Sequence, residues 1–363
     1  MTITKLKLNL GPQHPSTHGV LRLILELEGE KILSCEPDVG YLHRGMEKMA
    51  EKMTYLQYLP TVDRIDYLAG FFYSELLCRI VEEAKEVELP EKVRAIRVML
   101  LELNRIASHL LWVGAFLMDL GAVSPFFYAF REREMILRYF ERLTGQRMMY
   151  NYFVFGGIRH DIDYLEDVEE IISILPQKLD DYEKIITDNP IVLRRTVDKG
   201  ILEQSVALNY AITGVNLRAS GVDFDYRTMD NLYRGFDFKP VVMDGKDSWT
   251  RYKARILEMR ESINIIKQAL DYLKKAEKLE QHLINPINLK LPEGDYYAQI
   301  EAPRGLASCF VRSNGSDKAD RLKWRTGSYY SVNLLRKLLV REYLNDAIAI
   351  AGSLDIIVPE VDK

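Results

Sequence analysis

The sequence predicts an α+β protein that is mostly helical, and three observations support this class. Long segments with apolar residues at three- and four-residue spacing fill the middle of the chain. Shorter segments that alternate apolar and polar residues lie near both ends, as is typical of strands. Hydrophobic residues make up 47% of the 363 positions, which is enough for a sizeable core. Because no repeat or low-complexity linker interrupts the chain, we expect a single domain over residues 1–363.

An N-terminal sheet that carries a histidine loop is predicted for residues 1–40. Alternation runs from Ile3 to Leu10, from Val20 to Glu28 and from Lys31 to Pro37, and Gly29 marks a turn. A helical core is expected over residues 41–285, with an irregular excursion at 214–247. Residues 286–363 should form a C-terminal β/α segment.

Proline and polar residues mark where the predicted helices begin. Thr61 is expected to be the N-cap of a helix with Arg64, Asp66 and Tyr67 in its first turns. Pro90 should open a central helix that runs to Asp119 and is apolar on nearly all sides from Ile96 onward. Further elements are predicted as helices from Pro125, within 161–186, from Ser248 and within 343–351, and as strands at 296–300 and 309–312.

Composition and charge exclude several classes of protein. The 49 basic and 53 acidic residues give a net charge of -4, which offers no field to attract nucleic acid. The three cysteines form no C-x-x-C pair, so a disulfide framework, a zinc site or an iron-sulfur cluster within this chain is not expected. The N-terminus lacks a signal-peptide pattern, and Gly121 and Pro125 interrupt the apolar stretch at 110–130. Any work at a membrane would therefore depend on partners.

The loop from Gly11 to Gly19 holds His14 and His18 between two prolines. Prolines remove backbone donors and glycines permit unusual backbone angles, so the segment cannot be helical. Two interpretations stay open from these residues alone. The loop is either a turn whose histidines satisfy backbone groups, or a loop shaped for chemistry. A two-histidine metal site is weakly supported, because the helical spacing that pairs such ligands is absent.

Several long motifs together resemble one family. They are GPQHPSTHGVLR at 11–22, GYLHRGMEK at 40–48, DRIDY at 63–67, SPFFYAFRERE at 124–134, EMRES at 258–262 and SLD at 353–355. Through these motifs, essentially the whole chain resembles the quinone-site catalytic subunits of respiratory complex I, the proton-pumping NADH:quinone oxidoreductase. Such a subunit forms the quinone headgroup site with a neighbouring iron-sulfur subunit and couples quinone reduction to ion translocation.

That family is similar in fold to the large subunit of nickel-iron hydrogenases, so the resemblance implies a hydrogenase-like fold with a central helical bundle and small antiparallel sheets near both ends. Asp66, Ala69, Ile357 and Glu360 stand where the hydrogenase has its four thiolate ligands. Without soft ligands a nickel-iron centre cannot be held, so no metal is expected. The emptied metal site can become a ligand cavity.

The resemblance implies roles for individual residues. His18 and Tyr67 would donate protons to the two quinone oxygens, and Asp119 would be the carboxylate partner of the histidine. Asp119 is the only charged residue between Leu110 and Phe130, which agrees with that role and predicts a buried side chain. We hypothesise that proton loss from His18 leaves Asp119 over-charged and starts the conformational signal to the pumps. His14 belongs to the quinone-site motif and shapes the loop.

Two arginines match positions near the partner's terminal 4Fe-4S cluster. Positive charge at Arg44 and Arg64 would favour the reduced cluster, and a plain salt bridge is the alternative for either residue. His43 and Glu47 are expected in the same structural shell. Met149 replaces a histidine that is common in the family, so pH-linked tuning of the cluster potential should be weak or absent. The segment 326–333 also departs from the family's usual Pro-Ser-Phe-Val-Asn pattern.

The resemblance also implies the assembly. This chain alone would bind no cofactor, quinone would be the substrate, and NADH and FMN would bind elsewhere in the complex. Partners would be the iron-sulfur subunit, other peripheral-arm subunits and a membrane-arm subunit at the quinone entrance, on the cytoplasmic face of the bacterial cell membrane. Two alternatives stay open: the same subunit in a ferredoxin- or deazaflavin-fed membrane oxidoreductase, and a non-catalytic scaffold.

Overall fold

The computed structural model describes residues 5–13 and 19–363. Helices dominate, and small antiparallel sheets lie near both ends of the chain, so the α+β class is confirmed. Most buried apolar side chains of the described residues belong to one large cluster around the central helices. A second cluster joins the N-terminal sheet to the last helices. The single domain stays a prediction.

The N-terminal sheet has the strand order β1-β2-β3, with β1 at Lys5–Leu10, β2 at Arg22–Glu28 and β3 at Lys31–Asp38. Its strands are antiparallel, and the predicted turn at Gly29 connects β2 to β3. Leu23, Leu25 and Leu27 are buried on one face of β2, and the intervening Ile24 and Glu26 are more exposed. The predicted sheet is therefore confirmed.

Three helices follow: α1 at Met46–Ala50, α2 at Tyr55–Val62 and α3 at Gly70–Ala84. The predicted cap at Thr61 is wrong, because Thr61 lies inside α2. Thr54 caps that helix instead: its hydroxyl accepts a hydrogen bond from the Gln57 backbone N–H, and its own backbone N–H donates to the Gln57 side chain, which forms a capping box. Residues 63–69 form turns between α2 and α3. Tyr67 and its neighbours therefore lie on a connecting turn and not on a helix.

The central pair of helices is α4 at Glu91–Asp119 and α5 at Ser124–Thr144, and α4 packs mainly against α5 and α10 (Ser248–Leu273). Pro90 precedes α4 as predicted. The expectation that α4 is apolar on nearly all sides needs correction, because it also buries ionisable side chains. These are Arg97, Glu102, Arg105 and His109.

The middle of the chain consists of short elements around these helices. β4 at Phe153–Val154 pairs with β5 at Gly157–Ile158, and α6 at Leu165–Tyr182 confirms the predicted surface helix. A π-helical turn, α7 at Pro190–Thr196, α8 at Gln204–Asn209 and α9 at Gly214–Arg218 follow. The excursion predicted at 214–247 is therefore wrong for 214–218, which form α9, and beyond α9 the chain is largely irregular up to α10 as predicted. The cap of α10 is Asp247, one residue before the predicted Ser248.

The C-terminal segment begins with a sheet of order β6-β7-β8, formed by Gly294–Ala302, Gly305–Ser313 and Arg321–Arg325. The two predicted strands are confirmed, and β8 completes the sheet. Three helices end the chain: α11 at Gly327–Leu338, α12 at Leu344–Ser353 and α13 at Val358–Val361. The sequence predicted α12 but not α11.

No helix within the described ranges is both long enough and apolar enough to cross a membrane. In the stretch at 110–130, α4 ends at Asp119 and α5 starts at Ser124. The predicted interruption of this stretch is therefore confirmed.

Candidate functional site

The turn between α2 and α3 carries Tyr67, whose ring is half-buried. Within the described part of the chain we find no hydrogen-bond partner for its hydroxyl. Burial raises the pKa of the Tyr67 phenol, and the negative charge of Asp66 raises it further. The hydroxyl therefore keeps its proton at neutral pH and can donate a hydrogen bond to a ligand.

Asp63 anchors the start of this turn. It is buried, accepts a hydrogen bond from the Ser74 hydroxyl on α3, and accepts one from the Asn151 backbone N–H at 3.1 Å. Gly70 packs against it so closely that an added Cβ would lie 3.2 Å from the Asp63 Cβ. The turn is thus tied to α3 and to the segment that follows α5.

Asp66 points into the protein next to Tyr67. It accepts a hydrogen bond from the Leu68 N–H at 3.0 Å and one from the Arg304 guanidinium at 2.8 Å. Burial raises the pKa of Asp66 to about 7, the charge of Arg304 lowers it, and that of Glu360 raises it. The protonation of Asp66 and the fixed charge of Arg304 therefore control the charge beside Tyr67.

The C-terminal segment meets this turn. The Tyr73 hydroxyl on α3 donates to Glu360 at 2.6 Å, and Glu360 also accepts bonds from the hydroxyl and backbone N–H of Ser328. Asp66, Ala69, Ile357 and Glu360 are all buried. The Tyr67 turn and α3 are therefore joined to the C-terminal segment by hydrogen bonds and an ion pair.

The predicted site residues of the histidine loop, His14 and His18, lie outside the described residues. Asp119 is the last residue of α4, and its side chain is half-buried rather than enclosed in the apolar helix, which corrects that expectation. It lines an open cleft of about 740 Å³ together with Arg194 and Lys199. Tyr67 does not line this cleft.

Arg44 and Arg64 lie next to each other on the surface. The Arg44 guanidinium donates to the Arg64 carbonyl at 2.9 Å, and Arg64 donates to the Pro60 carbonyl at 2.6 Å. Burial and the adjacent charge of Arg64 lower the pKa of Arg44. Neither forms an ion pair with any residue of the described ranges, so the salt-bridge alternative gains no support there.

His43 and Glu47 tie the segment after β3 to the C-terminal part of the chain. The His43 ring lies 3.1 Å from the Asp362 carbonyl, and the Trp324 N–H donates to Glu47 at 3.1 Å. Glu47 also pairs with Lys323 at 2.7 Å. All three contacts hold parts of this chain together.

A buried charge network on α4 and α10 was not predicted. Glu258 lies 2.6 Å from His109 and 2.5 Å from Arg218, and Arg218 lies 2.7 Å from Glu301. Burial raises the pKa of Glu258, but the charge of Arg218 and the bond to His109 hold this pKa well below its usual range. Other members are Glu102, Arg105, Asp225 and Arg227. Glu102, Arg105 and His109 follow one another on α4 at three- and four-residue spacing, and this spacing was the signal in the sequence.

Cys35, Cys78 and Cys309 are free and buried. Burial raises the pKa of the Cys35 thiol to about 12, and it also raises the pKa of the other two thiols.

Comparison with known proteins identifies the family. The chain matches "Respiratory-chain NADH dehydrogenase, 49 Kd subunit" over residues 119–290 and 273–363. It is 43% identical to a subunit of the NADH-quinone oxidoreductase of Geobacillus kaustophilus, over 98% of this chain and 97% of that one. It is also 43% identical to a subunit of the NAD(P)H-quinone oxidoreductase of Gloeobacter violaceus, over 99% and 98% of the two chains. A subunit of the Geobacter sulfurreducens NADH-quinone oxidoreductase is 40% identical over 99% and 98%. This chain therefore belongs to the family of the 49 Kd subunit of the respiratory-chain NADH dehydrogenase and is a subunit of an NADH:quinone oxidoreductase.

Proposed function

We propose that this chain forms the quinone headgroup site of a proton-translocating NADH:quinone oxidoreductase, together with a neighbouring iron-sulfur subunit. Membership of the family supports a place in an NADH:quinone oxidoreductase, and a hydrogenase-large-subunit-like fold is part of the proposal. The observation that carries it is Tyr67, whose half-buried hydroxyl has no protein partner in the described chain. Asp66, which belongs to the same turn, forms a buried ion pair with Arg304.

Reduction of a quinone takes two electrons and two protons, so each carbonyl oxygen needs a proton donor within hydrogen-bond reach. Tyr67 would donate to one oxygen, because its raised pKa keeps the proton in place until negative charge develops there. His18 would serve the other oxygen, and His14 would shape the loop. The roles of both histidines rest on the family motif.

The electrons would come from a 4Fe-4S cluster in the neighbouring subunit. The guanidinium groups of Arg44 and Arg64 are exposed and form no ion pair with a described residue, which supports this placement, because a solvent-facing pair of positive charges can approach a negatively charged cluster. NADH and FMN would bind in other subunits. The chain would be held at the cytoplasmic face of the membrane by peripheral-arm partners and a membrane-arm subunit. Met149 in place of a histidine would leave the cluster potential without pH-linked tuning.

A photoreactive quinone tests the site directly. In the assembled enzyme, a quinone with an azido group on its ring should label the peptide that contains Tyr67. Excess unmodified quinone should suppress the labelling, because both compete for one headgroup site. Labelling that is confined to other subunits, or that excess quinone leaves unchanged, would contradict the proposal.

Asp119 would pass the loss of the histidine proton to the rest of the complex. Asp119→Asn should leave assembly intact and reduce coupled quinone reduction by about tenfold, because an amide cannot carry the charge that becomes excessive after proton transfer. Glu30→Gln is the matched control, since Glu30 lines the same cleft and is exposed. Turnover and proton pumping are measured in membrane vesicles. Wild-type values for both in Asp119→Asn would refute this role.

A further inference from the structure

Arg304 lies at the tip of the hairpin between β6 and β7, and only 3% of its surface is exposed. Its Nη1 donates to Asp66 at 2.8 Å, and its Nη2 donates to the Ser108 hydroxyl at 2.9 Å. The same Nη2 lies 3.5 Å from Asp355, which follows α12. One side chain thus connects the Tyr67 turn, the central helix α4 and the C-terminal segment.

The backbone that carries Arg304 is held in place by glycines. A Cβ at Gly327, the first residue of α11, would lie 2.1 Å from the Arg304 carbonyl oxygen. A Cβ at Gly214, the first residue of α9, would lie 2.4 Å from the Cα of Gly305. Such contacts are closer than any side chain allows, so these backbones can pack together only with glycine. A planar guanidinium on this fixed backbone can orient two carboxylates at once.

The charges around this guanidinium explain why a cation is needed. Asp66 and Asp355 both face Arg304, and the negative charge of Glu360 acts on Asp66 as well. Like charges that share a buried site destabilise one another unless a positive charge lies between them. Arg304 therefore supplies the positive charge that this buried group of carboxyl side chains needs.

We propose that Arg304 is a positioning residue for quinone reduction: its guanidinium holds Asp66 against Asp355 and so fixes the turn that presents Tyr67. This inference rests on the proposed role of Tyr67 as a proton donor. Arg304 acts through that turn and does not itself contact the quinone.

Four charged groups act on the Tyr67 phenol, and Arg304 is one of them. Asp66 and Asp355 raise the pKa of the phenol, and Arg304 and Arg133 lower it. Loss of Arg304 would remove the cation that holds Asp66, so Tyr67 would lie in a loosened turn beside a carboxyl group whose pKa is raised further. Proton transfer slows while the headgroup still binds, so kcat should fall and the KM for quinone should change little.

The test compares Arg304→Gln with Arg304→Lys in the assembled enzyme. Arg304→Gln should lower kcat for quinone about tenfold, with KM within about twofold, and should shift the pH at which kcat declines. Arg304→Lys should recover most of the rate, because it keeps a positive charge beside Asp66. Arg312→Gln, at the exposed end of the same hairpin, is the matched control. Equal losses in both Arg304 variants, with an unshifted pH profile, would indicate a structural role only and overturn the inference.

A double variant separates this inference from the function on which it rests. If Arg304 acts through Tyr67, Arg304→Gln should have no further effect on kcat in a Tyr67→Phe background. Independent, multiplied losses would overturn the positioning role while leaving the quinone site intact. Full activity of Tyr67→Phe alone would instead refute the proposed function. Should Arg304→Gln fail to assemble, the rate and pH profile of Arg304→Lys, alone and with Tyr67→Phe, decide the same questions.

Discussion

Tyr67→Phe is expected to lower the rate of quinone reduction by roughly 10²-fold or more while the enzyme still assembles, because a positioned general acid typically contributes that much. Phenylalanine keeps the ring and its packing in the turn but has no proton to give. Since no described residue uses the Tyr67 hydroxyl as a hydrogen-bond partner, its removal leaves no buried group unsatisfied. The loss should therefore appear in kcat and not in stability.

Two measurements make the Tyr67 result specific. Electron transfer from NADH to an artificial acceptor upstream of the quinone site should stay at the wild-type rate. Tyr272→Phe is the matched control, since this tyrosine is 40% exposed on α10, and it should retain full quinone reduction. A Tyr67→Phe enzyme that reduces quinone within about twofold of wild type would exclude the phenol as the proton donor.

The position of Tyr67 illustrates where sequence patterns were sufficient and where they failed. Pro90 and the apolar period that follows it predicted α4 correctly, because a long helix repeats its pattern many times. The same period continued through Ile65 and Leu68, which are buried in turns and not in a helix. Burial in a tight turn and burial on a helix give the same short pattern. The capping box at Thr54 was the better signal, and it marks the start of α2.

Motifs predicted the residues of the candidate site that are close in sequence, but not their distant supports. The DRIDY motif contains both Tyr67 and Asp66. Arg304, by contrast, is separated from Asp66 by 238 positions and from Ser108 by 196. Its local pattern is that of a strand pair and gives no sign of a partner elsewhere. Such a contact depends on tertiary packing, which periodicity and composition do not encode locally.

Asp63→Asn is expected to make the protein more stable than wild type at neutral pH and about equally stable near pH 4. Burial raises the pKa of Asp63 to about 6 from its ordinary value of 3.8. As pH rises from about 4 to about 6, the unfolded chain therefore loses this proton while the folded chain keeps it. The free energy of unfolding then falls with pH by about 3 kcal/mol from this group alone.

Asparagine suits this test because it imitates the protonated acid. Its carbonyl can accept the Asn151 N–H, and its amide can donate to the Ser74 hydroxyl, which then donates to the Gly70 carbonyl. Denaturant unfolding of the purified chain at several pH values measures the difference between variant and wild type. That difference should grow by about 3 kcal/mol between pH 4 and pH 7 in favour of the variant. For the control Asp223→Asn, which replaces an exposed aspartate, the difference from wild type should stay constant with pH. A difference that does not change with pH would mean that Asp63 is ionised in the folded protein. Any fall in the free energy of unfolding between pH 4 and pH 7 would then have to arise from other groups.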